Sequence, residues 1–249
     1  MDGSRTRTAV ITGASAGIGA ATALRLSREG FEVVLGARRM ERLEKVAKLT
    51  GGRALELDVT NADSVEDFAA AVEGCDVLIN NAGLALGLEP LENFSEEDVT
   101  TMWETNVLGL LRVTRALLPK LEASGMGHIV NLGSTAGREA YPGGGGYIAS
   151  KHAVRAITQT LRIELVGRPI RVTEIAPGLV ETEFSLVRFK GDAECAKKPY
   201  EGLTPLGEDD IADCIAWAVT RPPHVNIDEI VVRPIAQATS TAIARKTSS

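Results

Sequence analysis

Seven short runs in this chain are rich in β-branched residues, most of them apolar almost throughout, and that limits the fold more than any other feature. They lie at 8–12 (TAVIT), 31–35 (FEVVL), 53–57, 77–80, 129–132, 170–175 and 229–233. A strand with one face in water alternates apolar and polar residues; a strand without that alternation needs cover on both faces. Helical stretches separate the runs, at 17–29, from Met40 onward, and at 62–72, 96–121, 147–165 and 209–219. Steady strand–helix alternation with right-handed crossovers builds a doubly wound α/β fold, a mostly parallel sheet with helices on both faces. No internal repeat and no linker rich in Pro, Gly or Ser divides the 249 residues, so one domain over 1–249 is expected.

Two segments break the rhythm. Residues 181–206 are charged, contain Gly191, Pro199 and Pro205, and have no clear period. A long irregular stretch in a compact domain reads as a substrate lid. The tail at 236–249 is small and polar, and reads as a frayed terminus or an oligomer-stabilising arm. Ser95 reads as a helix cap facing Asp98.

Composition excludes several function classes. A net charge of −6 gives no general attraction to phosphate backbones, so no nucleic-acid partner is expected. No apolar run approaches the ~18 residues of a membrane span, and no apolar stretch follows the first basic residues. A soluble, cytoplasmic protein with no membrane partner is expected. Cys75, Cys195 and Cys214 are too far apart for a CxxC pair, and His128, His152 and His224 form no ligand set, so no metal is expected.

The chemistry begins at the first strand–helix turn. Gly13, Ser15, Gly17, Ile18 and Gly19 lie in TGASAGIG, which follows the first strand and opens the first helix. Glycines there let the backbone approach a pyrophosphate, and the helix start supplies free N–H groups and partial positive charge. The second strand runs into Arg38 and Arg39 with no acidic residue. An acid there would hold the ribose hydroxyls of NAD, whereas guanidinium forks suit a 2′-phosphate, so the cofactor expected is NADP. The same pair would also suit a solvated basic helix entry.

Tyr147 and Lys151 stand at i and i+4, on one helix face. A free phenol titrates near ~10, and a neighbouring ammonium stabilises the phenolate. Such a tyrosine exchanges a proton with a carbonyl or alcohol oxygen, as hydride transfer requires. Ser134, after the fifth strand, could hydrogen-bond the same oxygen. Taken alone, the Tyr–Lys spacing is common on helix surfaces.

The whole set is not common. TGASAGIG, Asp58-Val59, Asn80-Asn81-Ala82-Gly83, Asn106, Ser134, Tyr147-x-x-x-Lys151 and Pro177-Gly178 occur in the order found in short-chain dehydrogenases/reductases, which this chain resembles from Thr8 to about Gln237. The resemblance implies a Rossmann-like fold, Tyr147 as acid/base, Lys151 on the phenol and the nicotinamide ribose, and Ser134 polarising the carbonyl. It implies Asn106 holding a water that links Lys151 to solvent. It also implies Asp58 and Val59 at the adenine, Asn81 near the adenosine ribose, and Pro177, Gly178, Val180 and Thr182 on the nicotinamide side. In the family the long helices pair across two-fold axes, which implies a homotetramer, a dimer of dimers.

Residues 177–192 and 223–227 are similar to the branch of NADP-dependent dehydrogenases acting on serine and other short 3-hydroxy acids. A small-molecule substrate of that kind is expected. A broad aldehyde/ketone reductase is the alternative enzyme, and an NADP-sensing regulatory protein the alternative without turnover. A carboxylate substrate needs a cation facing Tyr147, and Arg188 on the lid is the expected anchor, with Lys190 beside it and Arg138 as the rival.

Overall fold

The structure is a computed structural model and describes residues 5–246. The strands are β1 (Thr8–Thr12), β2 (Glu32–Ala37), β3 (Arg53–Glu56), β4 (Val77–Asn80), β5 (Gly127–Leu132), β6 (Ile170–Pro177) and β7 (Glu229–Val232). They form one sheet in the order β3-β2-β1-β4-β5-β6-β7, with every neighbouring pair parallel. The expected doubly wound, Rossmann-like seven-stranded sheet is present. The lack of alternation in the strand sequences has its reason here: β1, β4, β5 and β6 are covered on both faces.

The helices are α1 (Gly17–Arg28), α2 (Met40–Thr50), α3 (Ala62–Ala71), α4 (Glu96–Trp103), α5 (Leu110–Ala123), α6 (Gly145–Glu164), α7 (Glu183–Arg188), α8 (Ala193–Lys197) and α9 (Glu208–Val219). Alternate side chains of a strand point to opposite faces, so β1 sends Ala9 and Ile11 into one core and Val10 into the other. Leu26, Leu43, Ile211 and Ile215 of α1, α2 and α9 close the first core. Phe68, Val113, Leu117 and Leu121 of α3 and α5 close the second. Each fully buried Leu, Ile or Phe contributes about 1.5–3 kcal/mol.

Three expectations change in detail. The single helix expected over 96–121 is two helices joined by a π-helical turn, Glu104–Gly109. Its extra residue per turn is accommodated where Asn106 reaches across to Leu84 and where a Cβ at Gly109 would press within 2.7 Å of Val59. The lid expected over 181–206 is not wholly irregular, because α7 and α8 form in it, each started by a side-chain cap. Thr182 accepts from the Phe184 N–H, and Asp192 accepts from the Glu194 and Cys195 N–H groups. The tail is not frayed over 236–246: the Ala244 N–H donates to Ala236, and the Lys246 N–H donates to the Gly202 carbonyl. Residues 247–249 of the expected tail lie outside the described residues. Ser95 caps α4 as expected, accepting from the Asp98 N–H at 3.2 Å.

The strand order reverses between β1 and β4, so their connections leave in opposite directions and open a crevice at the C-terminal ends of the strands. Most of the residues considered next line it.

Candidate active site

A cavity of about 690 Å³ occupies that crevice. At one end is the glycine turn. Gly13 and Gly17 have φ of +65° and +55°, the left-handed region that only glycine enters freely. Gly19 is needed for a close approach instead: a Cβ there would overlap the Asn81 side chain and the Gly13 carbonyl. Asn81 donates from Nδ2 to the carbonyls of Thr12 at 2.9 Å and Gly13 at 3.2 Å. Its amide therefore ties the end of β4 to the glycine turn. Asn81, Ser15 and Ile18 all line the cavity.

Arg38, Arg39, Asp58 and Val59 line the same end, past the C-termini of β2 and β3. Arg39 Nε donates to Ser15 Oγ at 3.2 Å. The guanidiniums of Arg39 and Arg42 both face Glu183 at the start of α7, at 3.0 and 2.8 Å. Arg39 first, and then Arg42, hold the Glu183 carboxyl below the usual range. Two arginines and a serine hydroxyl around one end of a long cleft fit a 2′-phosphate, and the glycine turn beside them fits a pyrophosphate. Among the described residues no cluster of His, Cys, Asp and Glu could hold a metal ion.

The opposite end holds Ser134, Tyr147 and Lys151. Ser134 opens the turn after β5, where its Oγ accepts from the Ala136 N–H at 3.1 Å and lies 3.4 Å from the Pro177 carbonyl. Tyr147 and Lys151 lie in the first turns of α6 and are both buried. Lys151 Nζ donates to the Leu132 carbonyl at 2.7 Å and stands 5.9 Å from the Tyr147 ring centre. Burial pushes Lys151 down to about 8, while Glu174 pulls it up. Burial pushes the Tyr147 phenol well above its ordinary value; the Ser134 hydroxyl and Arg188 pull it back. The lowering expected from a neighbouring charge is outweighed in this structure by burial.

Asn106 reaches the site from the π turn. It accepts from the Leu84 N–H at 2.8 Å and donates to the Leu84 carbonyl at 2.8 Å and to Ser150 Oγ at 3.0 Å. Its direct work is to fasten the chain after β4 to α6, one residue from Lys151. Pro177, Gly178, Val180 and Thr182 line the cavity where β6 ends.

Of the three candidate cations, the structure brings one to Tyr147. Arg188 ends α7 with its guanidinium 5.7 Å from the Tyr147 ring centre and 5.6 Å from that of Tyr141. It donates to the Gly87 carbonyl at 3.1 Å and faces the Tyr141 hydroxyl at 3.3 Å. Arg138 is committed elsewhere, forked onto Glu174 at 2.8 and 3.0 Å. Lys190 pairs with Asp98 at 2.8 Å.

Sequence reading missed several lining residues. Phe184 stacks edge-on against Tyr147 with ring centres 5.5 Å apart. Tyr200 donates to the Val180 carbonyl at 2.9 Å and meets Ser185 Oγ at 2.6 Å. The tail supplies Gln237, Ser240, Thr241, Ile243 and Arg245 to the cavity wall. Gln237 accepts from the Leu179 N–H at 2.9 Å, and Glu139 accepts from the Ser240 N–H and hydroxyl. The Thr182-Glu183 pair carried a readable helix-start signal; the tail carried none.

A doubly wound sheet with a phosphate-binding turn at one end of its crevice and a Ser–Tyr–Lys set at the other defines a dinucleotide-dependent oxidoreductase. The short chain dehydrogenase family model matches residues 7–192, and the chain belongs to that family. It is 54% identical over 239 residues to an uncharacterized oxidoreductase of Mycobacterium tuberculosis, covering 96% of this chain and 95% of that protein. It is 46% identical over 235 residues to an NADP-dependent 3-hydroxy acid dehydrogenase of Salmonella typhi, covering 92% and 95%. Among solved structures, the closed form of a serine dehydrogenase complexed with NADP+ superposes with a TM-score of 0.91 at 40% identity, covering 96% of this chain and all of that one. An alcohol dehydrogenase from the archaeon Thermococcus sibiricus, complexed with 5-hydroxy-NADP, gives 0.81 at 35% identity, covering 94% and 98%.

Proposed function

We propose that the protein is an NADP-dependent oxidoreductase acting on a short, serine-like 3-hydroxy acid and its 3-oxo counterpart. The single observation that carries the substrate class is Arg188, the one candidate cation whose guanidinium lies over the Tyr147 ring. The 3-hydroxy acid and serine dehydrogenases among its relatives support the same class. The Arg38–Arg39–Ser15 end supports NADP over NAD.

NADP(H), when bound, gives or takes the hydride. Ser134 Oγ holds the substrate oxygen, and Tyr147 gives that oxygen a proton on reduction or takes one on oxidation. Lys151, an ammonium below about pH 8, favours the phenolate as it forms and offers N–H donors to the ribose side of the cleft. Arg188 meets the carboxylate with its remaining donors, and Phe184 packs beside Tyr147 to shut water out.

The second reading, a broad carbonyl reductase, is favoured by the apolar side chains of Leu88, Phe184 and Val187 on the same wall. Arg188→Ala separates the two. It should raise KM for a 3-hydroxy acid about 10²-fold, a loss near ~3 kcal/mol, and barely touch a neutral ketone of similar size. Equal losses on both substrates would make Arg188 a lid fastener and favour the broad reductase. No NADP(H) turnover with any substrate would favour the regulatory protein. A homotetramer is also proposed, on the exposed apolar side chains of Trp103, Leu111 and Ile163 on α4–α6, Trp217 on α9, and Val231 and Ile235 in and after β7. A monomer mass in light scattering would refute it.

A further inference from the structure

Glu174 sits within β6 with no exposed surface, between the apolar Ile175 and the buried Thr173. A strand covered on both faces needs only an apolar side chain there, and a carboxylate removed from water is stable only with close partners. Glu174 does not line the cleft described above.

Its side-chain partner belongs to the turn that carries Ser134. Arg138, four residues beyond Ser134, forks both Glu174 oxygens at 2.8 and 3.0 Å. The same guanidinium donates to the Ser134 backbone carbonyl at 3.3 Å and reaches Glu229 of β7 at 3.0 Å. Glu174, and then Glu229, hold Arg138 above its ordinary value against the opposing effect of burial. On the near side, Gly133 lies flush on the carboxylate: a Cβ there would overlap Glu174 Oε1. The Gly133 N–H donates to the Ile175 carbonyl at 2.8 Å. At its far end the turn rests on α6, where a Cβ at Gly137 would come within 2.7 Å of the Lys151 carbonyl. The 133–138 turn is therefore gripped at its start, at Ser134 and at its end, and the buried carboxylate is common to the first two grips.

We propose that Glu174 is a positioning residue for the reaction: acting through Arg138, it fixes the 133–138 turn and so aims the Ser134 hydroxyl at the oxygen that Tyr147 serves. The proposal rests on the assignment of Ser134 and Tyr147 above. Its field on Lys151 has the same sense, opposing the loss of charge that burial favours. The device explains why Gly133 and Arg138 flank Ser134, and why Arg138 is not free to meet substrate.

The test is a set of variants assayed with a neutral ketone, so that Arg188 does not enter. Glu174→Gln alone takes the fork partner from Arg138, leaving it only the part-exposed Glu229, and should lower Tm on the order of 10 °C, a loss of stability that the apolar pair separates from aim. The Arg138→Met/Glu174→Leu pair removes both charges, and should restore most of the Tm while kcat stays about 10- to 100-fold low. KM and the Kd for NADP+ by titration calorimetry should be nearly unchanged. The triple variant that adds Ser134→Ala to that pair should be no slower than Ser134→Ala alone, the non-additivity expected when one group acts through another. Arg138→Lys, which keeps a charge for Glu174 but cannot fork to it and to Ser134 together, supplies the same comparison if the apolar pair folds poorly. Near-full kcat in the apolar pair, or losses that multiply with Ser134→Ala, would overturn the proposal. Full activity of Ser134→Ala by itself would overturn the reading of the site, and the proposal with it.

Discussion

The two ends of the crevice are built in different ways. The cofactor end is made by backbone: two left-handed glycines, the start of α1, and an Asn81 amide holding one strand end to the next, all close to the sheet. The substrate end is made by side chains that meet over long stretches of chain. Arg188 reaches Gly87 across 101 residues, Glu139 reaches Ser240 across 101, and Glu183 at the start of α7 reaches back to Arg39 of the cofactor end across 144. Buried, backbone-made features resist change, whereas exposed ion pairs are each worth about 0–1 kcal/mol. The cofactor end is thus a fixed socket, and the 181–206 segment is held by several weak fasteners. Substitutions at the two ends should differ in kind as well as in size.

The largest effect belongs at the substrate end. Tyr147→Phe keeps the ring against Phe184 and removes only the hydroxyl, so kcat should fall by at least ~10²–10⁴ while NADPH titrates as before. Near-full activity of that variant would refute the mechanism. Arg38→Asp tests the socket: it puts a carboxylate beside the expected 2′-phosphate. Losing a close charge partner costs ~2–5 kcal/mol, enough to erase or reverse a preference for NADP over NAD. Unchanged kcat/KM for NADP, with NAD no better used, would move phosphate recognition to Arg39 and Arg42.

What was legible in the sequence follows the same division. The central strands were readable because a strand buried on both faces has no other way to be written, the half-buried edge strands β3 and β7 were found through the strand–helix rhythm, and several ends shifted by one or two residues, as where β6 runs on to Pro177. The glycine turn and the Tyr–Lys pair are compact motifs whose chemistry depends on neighbours a few residues away. The π turn at Asn106 was not legible, because its cause is the distant backbone of Leu84. Nor was the ordered tail, whose small polar residues carry no period and are held by Glu139 and Gly202 from elsewhere in the chain. Arg138 and Arg188 were indistinguishable as lone arginines. Only the fold shows that Glu174 claims one and leaves the other facing Tyr147.

A smaller effect concerns stability at the buried Lys151. Burial lowers Lys151 in the folded chain to about 8, from the ordinary 10.5. Below pH 8 both folded and unfolded chains carry the proton, and the full cost of burying the charge is felt. Between about 8 and 10.5 the unfolded chain binds more protons, so this contribution to stability rises with pH. Lys151→Met should therefore stabilise the unliganded protein by about 1–3 kcal/mol at pH 7 while abolishing turnover. Its Tm advantage should shrink as pH passes from 8 towards 10. An advantage that stayed constant across that range would show that packing, not charge, is its source.

The smallest effect is the most informative about how the two ends communicate. Glu183 begins α7, the helix that carries Phe184 and Arg188 to Tyr147, and it is the residue that fastens that helix to Arg39 and Arg42. One carboxylate thus both partly neutralises the guanidiniums suited to the 2′-phosphate and anchors the wall of the substrate pocket. Glu183→Gln should act with opposite signs at the two ends. Arg39 and Arg42, freed of a competing anion, should bind 2′,5′-ADP more tightly, by a factor of a few, as expected for half-exposed pairs of about 0–1 kcal/mol. Affinity for 5′-AMP, which has no 2′-phosphate, should stay the same. KM for a 3-hydroxy acid should rise by a similar factor, because α7 has lost a fastener and Arg188 is less firmly placed. Raising the salt should shrink the gain in 2′,5′-ADP affinity, since the interaction is between exposed charges. Equal changes for 2′,5′-ADP and 5′-AMP would place the effect in the glycine turn, and a change in KM alone would leave the lid and the phosphate socket independent.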